Sequence, residues 1–156
     1  MENPATQTIQ PRQRSDRYSR NERLGVFVFG LFLMTLLIVA SFLEPNPAGL
    51  GTHTQLGLPG CTMYTLFGIR CPGCGMTTSW AYALKGDFTN AIQANVGGVL
   101  LCFLAAATCP FLMWIGIRGR PLETRWFTQV AMVVLLIAIL ISIIEWLIRL
   151  AARLCI

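Results

Sequence analysis

Charged side chains are scarce in this sequence. Seven acidic groups, twelve basic groups and one histidine are spread over 156 residues, 12% charge by count, where a soluble domain carries about 25%. Hydrophobic residues make up 54% and the mean hydropathy is +0.60. A chain of this length holds one domain at most, and a single small core cannot hide so much apolar surface from water. The shortage of charge therefore speaks against a soluble domain. Internal repeats and low-complexity tracts are also lacking. The net charge of +5 calls for no nucleic-acid partner, because most of it sits where a membrane protein keeps its cytoplasmic anchoring charge.

Three stretches carry no charge at all: Leu24 to Leu43, Val96 to Ile117, and Phe127 to Ile144, the last able to run on to Ile148 past Glu145. Each approaches the roughly 20 residues that cross a hydrocarbon core about 30 Å thick. At that depth the backbone must satisfy its own hydrogen bonds, which requires helices. The expected fold is all-α, with about three transmembrane helices in contact with the lipid bilayer. No charged or strongly polar side chain lies deep in any span, which speaks against a transport path. The first run is longer than the roughly 7–15 apolar residues of a cleaved signal, and no small-x-small site follows it. It is expected to be a retained helix ended by Glu44-Pro45-Asn46-Pro47.

Basic residues set the expected orientation. Arg12, Arg14, Arg17, Arg20 and Arg23 precede the first span, and Arg118, Arg120 and Arg125 lie between the second and third. The long connector, residues 44–95, holds only Arg70 and Lys85. The positive-inside rule then puts the N-terminus and the short loop in the cytoplasm of a bacterial inner membrane, with the connector outside. Arg149 and Arg153 go against this rule; Glu145, one turn before Arg149, is placed to pair with it. Trp114, Trp126 and Trp146 fall near span ends, as interfacial aromatics do. Residues 1–23 are polar and basic and are expected to be a disordered tail, leaving residues 24–156 as one membrane domain.

Chemistry collects in the connector. It contains the only histidine, His53, and three of the six cysteines, Cys61, Cys71 and Cys74. Gly and Pro punctuate its first half, which reads as ordered loop. From Met76 to Leu84 the pattern turns helical, too short to span, and is expected to lie on or just within the outer membrane surface. Lys85-Gly86-Asp87 ends that helix, and Phe88 to Asn95 leads into the second span. Cys71-Pro72-Gly73-Cys74 lets two sulfurs face one point, which suits a metal and equally a redox pair at a helix start. With Cys61 and His53 the set becomes Cys3His, a tetrahedral zinc combination. Three outer-face cysteines leave one over after any disulfide, which favours a metal, a partner thiol or a redox cycle. Cys102 and Cys109, seven residues apart on one stripe of the second span, are read as small apolar core residues.

The run from Gly51 to Gly98 resembles the bacterial membrane proteins of domain-of-unknown-function family 2752, which carry a cysteine shortly before a Cys-Pro-x-Cys-Gly-x-Thr motif. Cys61, Cys71, Pro72, Cys74, Gly75 and Thr77 occupy those positions. Thr78 stands where many members carry arginine, and Val96 where many carry proline. The resemblance implies a membrane protein and supplies no activity. Three readings stay open. In the first, His53, Cys61, Cys71 and Cys74 bind a metal such as zinc in a non-enzymatic component of a membrane assembly that includes other subunits. In the second, Cys71 and Cys74, with Cys61 as exchange partner, make a thiol–disulfide oxidoreductase. In the third, an interaction subunit has its connector stapled by a disulfide.

Overall fold

The structure, a computed structural model, describes residues 18–119 and 125–154. Among these residues every regular element is helical. Helix α1 is Arg20–Phe42, α2 Thr62–Phe67, α3 Met76–Leu84, α4 Phe88–Ala94, α5 Val96–Arg118 and α6 Arg125–Leu154, with a 3₁₀ turn at Thr52–Leu56. Three helices are long and apolar enough to cross a membrane: Arg20–Phe42, Val96–Arg118 and Phe127–Ala152. The chain is thus an all-α membrane protein with the three expected spans. The expected tail falls mostly on residues 1–17, outside the described part, as do Arg12, Arg14, Arg17, Arg120, Cys155 and the side chains of Arg125, Trp126 and Arg153.

Helix α1 starts four residues before the charge-free run. Ser19 caps it, its hydroxyl accepting from the Glu22 amide at 3.3 Å while the Glu22 carboxylate accepts from the Ser19 amide at 2.8 Å. This reciprocal pair satisfies two amides that a helix start otherwise leaves open. It is written in the sequence as Ser-x-x-Glu, a signal that hydropathy alone overlooks.

Helix α1 packs along α5, and α5 along α6. Small residues let the backbones close up, as they do where lipid gives no hydrophobic drive to association. A methyl group on Gly97 would lie 2.1 Å from Ser142 Oγ and 2.5 Å from the Ala138 carbonyl. Cys102 and Cys109 are buried on this helix, and Cys109 Sγ lies 3.9 Å from Met34 Sδ, so both are core residues as expected. The Arg23 guanidinium donates to the Gly116 and Ile117 carbonyls at 3.2 and 2.7 Å. The start of α1 and the end of α5 therefore share one end of the bundle.

The connector occupies the other end and is more helical than its Gly and Pro content suggests. Its first half holds the 3₁₀ turn and α2 where the sequence reads as loop; the turn fits between Gly51 and Gly57 and α2 between Gly60 and Gly68. Helix α3 has the expected bounds, Met76–Leu84. It fits against α1 and α5, with Ala81 and Ser79 fully buried, and Trp80 and Tyr82 half-buried against a cluster that includes Leu37, Val99 and Cys102. Its apolar face is covered mainly by protein. Phe88 to Ala94 does not run straight into the span. It forms α4, capped by Asp87, and the chain breaks at Asn95, whose extended backbone begins α5.

Candidate functional site

Asn95 is the residue that fixes the site to the spans. It is 2% exposed. Its side-chain oxygen accepts from the Gly98 amide at 2.7 Å, capping α5, and from Ser142 Oγ of α6 at 3.4 Å. Its side-chain NH2 donates to the Pro72 and Cys74 carbonyls at 3.3 and 3.4 Å. One amide thus ties the Cys71–Cys74 turn to the junction of two membrane helices.

Helix α6 reinforces this tie. Trp146 Nε1 donates to the Arg70 carbonyl at 2.7 Å, just ahead of Cys71. Arg149 pairs with Glu145 and also donates to the Gln93 and Ala94 carbonyls at 3.2 and 3.4 Å. Glu145 in turn accepts from the Val96 amide at 3.3 Å. The expected Glu145–Arg149 pair is present, and it clamps the start of α5.

Gly75 closes the turn onto the spans. Its φ of +90° lies in the left-handed region, which costs a side chain about 1–2 kcal/mol. A methyl group there would meet the Ala94 carbonyl at 2.6 Å and the Gly49 carbonyl at 2.7 Å. On the far side, the hydroxyls of Thr52 and Thr78, both fully buried, share a hydrogen bond of 2.8 Å. That bond fastens the 3₁₀ turn to α3.

Within this frame three thiols converge. The ligand atoms of Cys61, Cys71 and Cys74 all lie within 4.8 Å of one another, a grouping that can hold a metal ion. Cys71 and Cys74 Sγ are 3.1 Å apart, well beyond the roughly 2.05 Å of a disulfide bond. The Cys71 amide donates to Cys74 Sγ at 3.3 Å. Cys74 is 8% exposed, and burial, aided by the neighbouring Cys71 and Cys61 thiols, pushes its thiol up to about 12. Cys61 stands just before α2, where the nearby Tyr64 backbone amide, and after it the Cys74 thiol, favour the thiolate and hold the Cys61 thiol down to about 7.

The thiols open on a cleft of about 330 Å³, lined also by His53, Thr54, Tyr64, Thr65 and Thr77. His53 stands on the 3₁₀ turn, outside the group of three sulfurs, with its Nε2 3.2 Å from the Pro59 carbonyl oxygen. The structure thus gathers Cys61, Cys71 and Cys74 and places His53 on the wall of the same cleft.

Of the supporting contacts, the Glu145–Arg149 pair is legible in the sequence by its spacing. Asn95 carried one legible signal, an Asn immediately before an apolar run, which is a capping pattern; its reach to the Cys71–Cys74 turn is a long-range contact with no local mark. The Thr52–Thr78 bond and the Trp146 donor had no such sign.

Comparison with known proteins gives a family match over part of the chain. No curated protein and no solved structure matches the chain. Residues 61–108, from Cys61 through the Cys71–Cys74 turn and into α5, match the model of a family described as protein of unknown function, DUF2752, the family that the sequence motif resembles.

Proposed function

We propose that the connector is a metal-binding module of a multi-pass bacterial inner-membrane protein. Cys61, Cys71 and Cys74 supply three thiolates and His53 the fourth ligand, and the metal is zinc. The role is structural, in a membrane assembly with other subunits, rather than enzymatic. The N-terminus lies in the cytoplasm and the connector outside.

The convergence of three sulfurs carries this reading. Metal–sulfur bonds of about 2.3 Å in a tetrahedron put sulfurs about 3.8 Å apart, and the three thiols stand within 4.8 Å of one another before any ion is added. Three thiolates and an imidazole form a closed zinc set of the structural kind. His53 lines the same cleft and is held at Nε2 by one carbonyl contact, which a metal bond would replace. Elemental analysis of the purified protein is expected to give one equivalent of zinc, lost in His53→Ala and in Cys74→Ser. A metal-free parent carrying a Cys71–Cys74 disulfide overturns the reading.

The 3.1 Å separation of the Cys71 and Cys74 sulfurs supports a second reading, thiol–disulfide exchange. In that step the two thiols give up two electrons and two protons to a partner disulfide, which becomes two thiols, and a Cys71–Cys74 bond forms. Alkylation would then find this pair shifting between two states, with His53→Ala leaving the shift unchanged.

A further inference from the structure

Helix α2 packs against no other helix among the described elements, and all six of its residues are exposed. Leu66 and Phe67 are 68% and 69% exposed, and Leu56 and Leu58, just before the helix, 49% and 52%. No Asp, Glu, Lys or Arg occurs from Pro45 through Ile69. A surface so apolar and so free of charge is a contact surface, not a water-facing one. Tyr64 and Thr65 line the thiol cleft, so the short helix shows the cleft its polar residues and leaves Met63, Leu66 and Phe67 on the outside.

Two tethers set the level at which this segment runs. The Gln55 amide group donates to the Glu44 carbonyl at 2.6 Å, and its oxygen accepts from the Glu44 amide at 3.1 Å. Leu56 is thereby held beside the end of α1, whose last residue, Phe42, is 82% exposed. At 1.5 Å per residue, the apolar run from Leu24 to Phe42 measures about 28 Å, which is nearly the whole hydrocarbon thickness. Glu44 and Gln55 therefore mark the bilayer boundary. At its other end the segment is held by the Trp146–Arg70 bond to α6, and Ile69 shares a cleft with Trp146 and Leu150. The apolar stretch is thus strung between the end of α1 and the Trp146 level of α6.

We infer that residues 56–67 form an interfacial anchor, with Leu56, Leu58, Met63, Leu66 and Phe67 inserted among the lipid headgroups and upper acyl chains. The occupant of this face is the bilayer surface itself, gripped as an amphipathic helix grips it. The anchor needs no metal in the cleft and stands apart from the zinc reading.

Fluorescence of the full chain in phosphatidylcholine vesicles tests this. Phe67→Trp adds one tryptophan to the four present, and the emission it adds over the parent is the quantity read. Lipids brominated in the upper acyl chain are expected to remove most of that added emission, while acrylamide in the water leaves most of it. Leu66→Trp repeats the measurement from the neighbouring side chain, so poor folding of one variant does not end the test. Quenching by acrylamide with none by brominated lipid, the result for a face open to water, overturns the inference. So does protection from both quenchers, the result for a face covered by a second copy or another protein. The zinc content of the same samples reads the thiol site separately.

Discussion

Replacing Asn95 with Ala tests whether one buried amide holds the cysteine turn onto the membrane helices. The change removes four hydrogen bonds. The capping bond to Gly98 at 2.7 Å contributes about 1 kcal/mol. The three longer ones, to Pro72, Cys74 and Ser142 at 3.3–3.4 Å, contribute about 0.5 kcal/mol each, at the lower end for such bonds. The expected loss is about 2.5 kcal/mol, or about 60-fold in the folded-to-unfolded ratio. Asn95→Ser keeps a capping hydroxyl but cannot reach Pro72 or Cys74, and is expected to recover about 1 kcal/mol of the loss. Unfolding in mixed micelles of rising dodecyl sulfate fraction measures the stability. Trypsin cleavage after Arg70, just ahead of the turn, measures its release and should speed up in Asn95→Ala. An Asn95→Ala protein that unfolds at the parental dodecyl sulfate fraction, with unchanged cleavage after Arg70, would refute the hub role.

Two further outcomes follow. In reduced, metal-stripped protein, Cys61 is half thiolate near pH 7 because its acidity is raised, so its alkylation should climb as pH passes through 7 and then level off. Cys74, held near 12, should stay slow up to pH 9, and peptide mapping by mass spectrometry reads the two sites apart. Topology reporters should act cytoplasmic when fused after Leu24 and exported when inserted at Gly49; cytoplasmic behaviour at Gly49 would reverse the orientation and put the thiol cleft on the reducing side of the membrane.

The spans were legible because their signal is local and strong. A charge-free run near 20 residues long admits one solution in a bilayer, and the second span begins at Val96, as read. The bounds of α3 were legible for a similar reason, since Gly75 and the Lys85-Gly86-Asp87 turn punctuate a helical pattern on both sides. Where the reading fell short, the determinant was long-range. Helix α2 is six residues with no flanking acid or amide cap, too short for periodicity to register against its Gly and Pro surroundings. Of the candidate ligands, spacing alone joined Cys71 to Cys74. Cys61 lies ten residues before Cys71, and the contact nearest in the chain that ties its segment to α3 joins Thr52 and Thr78, two threonines 26 residues apart with no local mark.

Arg149 shows how such long-range contacts bear on an orientation argument. Counted as a free cation, it weighs against placing the end of α6 outside the cell. In the folded chain its guanidinium is committed to Glu145 and to the carbonyls of Gln93 and Ala94, so the pair is close to neutral and its donors are spent on the helix junction. The positive-inside rule concerns lysines and arginines near the ends of spans as they meet the membrane. Acidic neighbours count little in it, so Arg149 still counts as a basic residue at its end of α6. At the opposite end Arg23 donates to two backbone carbonyls, and Arg118 lies over the Trp114 ring, 4.8 Å from its centre. These residues keep their charge. More basic residues stand around the N-terminal end than around the connector end, and that count, rather than the pairing, supports the orientation proposed above.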